Sequence, residues 1–219
     1  MSILSKSLER IKPSPTISVT QKARELKAKG ADIISLGSGE PDFDTPDNVK
    51  SAAIEAIKNG QTKYTAVDGT VDLKNAIVSK FKKENNLTYE KNQISVGAGG
   101  KQVIYNAFLA TINSGDEIII PSPFWVSYPD IVLLAGGIPK IIECGEEDNF
   151  KLTAKSLKKN ITQKTKWLII NSPGNPTGSC YSEQEINELV DVLVKYPKIL
   201  IMSDDIYEHI IYDEFNFYT

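Results

Sequence analysis

The chain has 219 residues, with 25 Lys and Arg against 28 Asp and Glu and a net charge of −3. That length can bury a sizeable core as one large domain or two small ones, and lysines scattered among acids exclude a basic nucleic-acid face. No stretch is apolar for long enough to span a bilayer, the charged N-terminus lacks the apolar centre of a signal peptide, and two cysteines, Cys144 and Cys180, are too few for a disulfide framework and read as inert cytosolic thiols.

Residues 1–15 are polar and punctuated by proline, which predicts an extended arm. Residues 16–29 read as a helix, with Ile17, Ala23, Leu26 and Ala28 apolar and Gly30 at the stop position. Residues 33–36 are a short strand candidate feeding the glycine-dense turn Gly37-Ser38-Gly39-Glu40-Pro41. A helix is expected over 46–58, with Pro46 near its first turn and Gly60 after its end. The loop 64–69 precedes an amphipathic helix over 71–83, with Leu73, Ala76, Ile77 and Phe81 inward.

From residue 94 onward short apolar runs alternate with helical segments. Strands are expected at 94–96, 117–121, 138–142, 167–170 and 199–202, and helices at 103–112, up to Leu134 and around 154–159. Ser182-Glu183-Gln184-Glu185 reads as a capping box opening a further helix. This alternation predicts an α/β fold with a largely parallel sheet.

The stretch Trp167-Leu168-Ile169-Ile170-Asn171-Ser172-Pro173-Gly174-Asn175-Pro176-Thr177-Gly178 is a buried strand breaking into a loop. It places Asn171 and Asn175 at a carboxyl strand end, where open α/β sheets keep their ligands. The next strand delivers Asp204, Asp205 and Tyr207 to the same edge. An amide, a carboxylate and a phenol together suit a charged heteroaromatic ring better than a metal or a scissile bond. An aspartate near a pyridine nitrogen keeps it protonated; equally, the two aspartates suit a helix N-cap or a solvated pair. Gly97-Ala98-Gly99-Gly100-Lys101 sits between a strand and a helix, so it is either a phosphate cradle or a tight packing turn. It is neither a P-loop, since Gln102 follows Lys101, nor a dinucleotide fingerprint. Trp125 is either core or a flat face for an aromatic ring. The lone histidine, His209, reads as structural, and one histidine makes a triad or zinc site hard to build.

Six segments, in order, carry a family resemblance: Gly39-Glu40-Pro41-Asp42-Phe43-Asp44-Thr45-Pro46, Lys63-Tyr64-Thr65, Gly99-Gly100-Lys101-Gln102, Pro123-Phe124-Trp125-Val126-Ser127-Tyr128-Pro129, Asn171 through Gly178, and Ser203 through His209. The sequence resembles the class I pyridoxal-phosphate aminotransferases, in the bacterial subgroup of aspartate and aspartate/prephenate aminotransferases. The resemblance implies the type I PLP-dependent transferase fold. Residues 1–45 would form an arm and a small-domain segment, and 46–219 a large cofactor-binding domain incomplete at its C-terminal end.

The resemblance also implies roles. Backbone N–H groups of Gly99, Gly100 and Lys101 would hold the cofactor phosphate. Trp125 would stack on the pyridine ring and border the substrate, and Asp204 would pair with the pyridine nitrogen. Asn175 and Tyr207 would bond the phenolate oxygen, Asn175 also bordering the substrate. Tyr64 would reach a partner subunit's phosphate, Gly39 would meet the substrate α-carboxylate, and Lys12 matches a position linked to the distal carboxylate. The implied protein is a cytoplasmic homodimer, free of membrane and nucleic acid, that moves the amino group of L-aspartate to 2-oxoglutarate and acts also on prephenate. Gly174 departs from the pattern where relatives often carry asparagine. The Schiff-base lysine of the family would lie beyond Thr219, so no catalytic residue is assigned within this chain and the chain alone is expected to be inactive. The rival readings are an inactive fragment or binding module that keeps the cofactor contacts, and a β-lyase or aminotransferase of other substrates.

Overall fold

The computed structural model describes residues 3–219. The described residues divide into two compact units, one of residues 13–78 and 90–96, the other of 3–12, 79–89 and 97–219. In the first unit, helix α1 spans Pro15–Ala28, α2 spans Asp47–Lys58, and α3 begins at Val71 and runs to Glu84. Pro15 at the first position of α1 lacks an N–H where the helix needs none. The loop before α3 is held from within: the half-exposed Asp68 pairs with the buried Lys74, and the Asp68 carbonyl accepts from the Val96 N–H at 3.1 Å.

The second unit carries the sheet. Its elements after α3 are α4 (Gly100–Thr111), β1 (Glu117–Ser122), α5 (Ser127–Leu134), β2 (Ile138–Glu143), α6 (Ala154–Asn160), β3 (Thr165–Asn171), α7 (Glu183–Leu193) and β4 (Leu200–Asp204). The strands are all parallel, in the order β2-β1-β3-β4. Strand side chains alternate between faces, and two cores result. Ile118 and Ile120 of β1 with Ile169 of β3 pack beneath α4 and α5, against Phe108, Tyr128 and Val132. Ile119, Leu168 and Ile170 face the other way, onto Leu157 of α6 and Leu189 of α7. Burying each such side chain stabilises the fold by about 1.5–3 kcal/mol, so the two central strands are the best anchored. The capping box at Ser182 forms as expected: Ser182 Oγ accepts from the Glu185 N–H at 3.3 Å, and Glu185 Oε2 accepts from the Ser182 N–H at 2.8 Å.

Four expectations are corrected. Residues 33–36 form no strand: Ile34 and Leu36 are almost fully exposed and no ladder partner lies beside them. Residues 94–96 form none either, because the Ile94 N–H closes a 3-10 turn on Lys91 and the Val96 N–H goes to a loop carbonyl. One such bond is not a ladder. Helix α4 starts three residues earlier than its apolar periodicity suggests, as Gln102 and Val103 both donate to the Gly99 carbonyl. The N-terminal arm contains a 3-10 turn over Lys6–Arg10, capped by Ser5, and Arg10 reaches the Leu133 carbonyl at the end of α5 at 3.4 Å. Both cysteines are free, Cys144 buried and Cys180 half-buried, and burial pushes both thiols up from their ordinary range. Among the described residues, no helix is long and apolar enough to cross a membrane.

Candidate functional site

The parallel ladder brings the carboxyl ends of β3 and β4 into register, Asn171 opposite Asp204. Beside them opens the N-terminus of α4, and the three ends border one cavity of about 600 Å³. Seven of the residues expected at a site line it: Gly99, Gly100, Lys101, Trp125, Asn175, Asp204 and Tyr207. Val103, Ile104, Ala107 and Trp167 supply an apolar wall, with the Trp167 indole N–H anchored on Thr111 Oγ1 at 3.0 Å.

At the mouth of α4, Gly99 has φ +94° and ψ 157°, a conformation that belongs essentially to glycine. A Cβ built on Gly99 or Gly100 would meet nothing within 4 Å, so the approach to this turn is open. The Gly100 and Lys101 N–H groups occupy the first two helical positions, where no intrahelical carbonyl reaches them. The Gly99 N–H is already engaged, donating to the Gly97 carbonyl at 2.9 Å. The Lys101 ammonium stands 5.0 Å from the centroid of the Trp125 ring. Helix dipole, two open N–H groups and an ammonium thus favour an anion at one end of the cavity.

Asp204 borders the same cavity. Tyr128, buried at 2% exposure, donates its hydroxyl to Asp204 Oδ2 at 2.5 Å. Burial, and then the neighbouring carboxylate, push the Tyr128 phenol well above its ordinary range, so it stays a donor. Asp204 Oδ1 accepts from the Ile206 N–H at 3.3 Å, so the aspartate also serves a local turn, although among the described residues no helix follows β4 for it to cap. Each oxygen retains a lone pair for a further donor. Asp205 differs: its carboxylate is tied to Ser203 and Thr219, both at 2.7 Å, and burial raises it above the ordinary carboxylate range.

Asn171 joins the two strand ends. Its Nδ2 donates to the Asp204 carbonyl at 2.8 Å, and its Oδ1 accepts from the Asn175 N–H at 2.8 Å. Asn175 Nδ2 in turn lies 3.4 Å from the Tyr207 hydroxyl. Trp125 meets Tyr128 edge-on, with centroids 5.3 Å apart.

Tyr64 and Gly39 belong to the other unit; both are exposed. Lys12 is exposed on the N-terminal segment and does not line the cavity. Sequence reasoning gave no separate role to Tyr128; Trp125 lies in the loop before α5 and its carbonyl accepts from the Tyr128 N–H at 3.1 Å. His209 is 72% exposed, with Nε2 3.4 Å from Glu84 and 3.6 Å from Glu208.

A family profile described as "Aminotransferase class I and II" matches residues 31–219. Over all 219 residues the chain is 61% identical to the "Probable aspartate/prephenate aminotransferase" of Rickettsia bellii and 58% identical to the "Aspartate/prephenate aminotransferase" of Cereibacter sphaeroides, covering 55% of each. Among solved structures it superposes on the aspartate aminotransferase from Rhizobium meliloti with a TM-score of 0.95 at 45% identity, covering 100% of this chain and 55% of that one. The Thermus thermophilus aspartate aminotransferase with maleate matches at 0.95 and 41%, covering 99% and 56%. The chain spans about half the length of the curated relatives it matches.

Proposed function

Since the chain belongs to the class I and II aminotransferases, we propose that its cavity holds pyridoxal 5′-phosphate and that the full-length protein moves the amino group of L-aspartate to 2-oxoglutarate, with prephenate as a further acceptor. The observation that carries this is the presence of opposite chemistries in the lining of one cavity: an anion-seeking helix mouth at Gly100 and Lys101, and an anchored carboxylate at Asp204. A phosphate ester joined to a pyridinium has that polarity. The donor set therefore fits the cofactor.

In this reading the Gly100 and Lys101 N–H groups hold the phosphate, on a turn whose shape Gly99 makes possible. Asp204 keeps a proton on the ring nitrogen, and Tyr128 keeps Asp204 aimed. Asn175 and Tyr207 donate to the ring oxygen. Trp125 covers one face of the ring and excludes water from it. When bound, pyridoxal phosphate supplies an electron sink for bonds broken at the substrate α-carbon. Tyr64 serves a partner subunit's phosphate in a homodimer. Gly39 meets the α-carboxylate and Lys12 the distal carboxylate of the substrate. The names of the relatives support aspartate and prephenate as substrates, and maleate in the Thermus structure, a dicarboxylate, supports the distal contact. A cytoplasmic setting goes with this reading.

The test uses a full-length protein carrying these residues. Incubated with ¹⁵N-aspartate, 2-oxoglutarate and pyridoxal phosphate, it is expected to yield ¹⁵N-glutamate. Label that stays in aspartate, in a folded and cofactor-loaded protein, would refute the activity.

A further inference from the structure

Tyr207 stands on the turn that leaves β4, and little packing holds that turn. Its apolar flanks are largely in solvent: Ile206 is 70% exposed and Ile210, just after the turn, 55%. Among the described residues, the one side-chain hydrogen bond of Tyr207 is the 3.4 Å contact with Asn175, too long to fix a ring. The next residue, Glu208, is clamped instead. Its side chain is 12% exposed and lines no part of the cavity. Lys80, near the end of α3, donates to Glu208 Oε1, and Asn85 Nδ2 donates to Oε2 at 2.9 Å. Lys80 also donates to Asn85 Oδ1 at 2.8 Å, which closes the triangle.

Burial opposes the charge on Glu208, but the hydrogen bonds from Lys80 and Asn85 outweigh it and hold the carboxyl below its ordinary range. Glu84 and His209 complete the cluster, and the ligand atoms of Glu84, Glu208 and His209 lie within 4.8 Å of one another. Such spacing suits a metal, yet the Lys80 ammonium already rests on Glu208 and lies 4.0 Å from Glu84. The cluster is an ion-pair network with its cation built in. Both oxygens of Glu208 are thus engaged by groups more than a hundred residues away in sequence.

We propose that Glu208, clamped by Lys80 and Asn85, is a positioning residue that fixes where the Tyr207 phenol stands in the cavity. The reading above is needed for what that phenol meets, though not for its placement. Two readouts keep these apart. In full-length protein labelled with ¹³C at tyrosine Cζ and free of cofactor, the Tyr207 signal is identified by its loss in Tyr207→Phe. It is expected to shift in Lys80→Met and in Glu208→Gln, and to return in Lys80→Arg. With pyridoxal phosphate bound, the pH midpoint of the visible band is expected to move by about half a pH unit in the same variants. In a Tyr207→Phe background, Glu208→Gln should add nothing to that movement. A Tyr207 signal unmoved in both variants, with only the thermal transition lowered, overturns the proposal and leaves the clamp as mere stabilisation. A moved signal with no visible band even in the wild type sustains the placement and removes the cofactor reading instead.

Discussion

Tyr128 donates its hydroxyl to Asp204 Oδ2 at 2.5 Å, so the carboxylate lining the cavity is aimed by a phenol that is itself buried. Removing that hydroxyl with Tyr128→Phe leaves a half-buried carboxylate oxygen short of a donor. The expected cost is about 1–3 kcal/mol of stability by urea unfolding, together with weaker retention of pyridoxal phosphate in a full-length protein. Unchanged retention would separate Tyr128 from the site.

The same phenol predicts an alkaline limb. Tyr128 and Tyr181 are both raised above the ordinary value of 10.0, chiefly by burial. Above pH 10 the unfolded chain loses these protons while the folded chain keeps them, so stability falls as pH rises. Thermal transitions measured from pH 9 upward should show the fall, and Tyr128→Phe should flatten it.

Gly99→Ala forces a side chain onto φ +94°. The strain is on the order of 1–3 kcal/mol, and nothing nearby collides with the new methyl group. The lesion is therefore conformational, and it should appear as a lower affinity for inorganic phosphate at the helix mouth, read by competition with the cofactor. Wild-type affinity would mean that the turn does not depend on its glycine.

Leu168→Ala opens a hole in the centre of the sheet, where Leu168 is fully buried against the α6 and α7 face. The expected loss is about 2–5 kcal/mol in urea unfolding. It should leave the order of substrate preference intact, since Leu168 does not line the cavity.

Lys12→Ala addresses specificity. If Lys12 meets a distal carboxylate, kcat/KM should fall on the order of tenfold for aspartate, and far less for alanine or phenylalanine. Equal losses for all three would assign the N-terminal segment a folding role.

Much of this was legible in the sequence because the central strands are apolar without interruption and their ends break into glycine, proline and asparagine. Residues 117–121 and 167–170 read as buried strands; Asn171 and Asn175 follow the second of them, and Asp204 and Tyr207 follow the strand expected at 199–202. Legibility failed where a partner decides. Residues 33–36 and 94–96 have strand composition, yet a strand exists only beside another strand. The clamp on Glu208 was invisible for a related reason: Lys80 and Asn85 carry no local pattern, and only the fold brings them to it. Tyr128 lies within the segment from Pro123 to Pro129, but its hydrogen bond to a residue 76 positions away has no signature in spacing alone.

The most direct test of the cofactor reading is turnover of aspartate and 2-oxoglutarate by Asp204→Ala, in a full-length protein, with the visible spectrum of bound pyridoxal phosphate recorded alongside. Loss of a preorganised charge partner predicts a fall on the order of 10²-fold or more, with weaker binding of the cofactor. Turnover equal to wild type, with the cofactor still bound, would contradict the assignment of Asp204 and with it the polarity of the cavity.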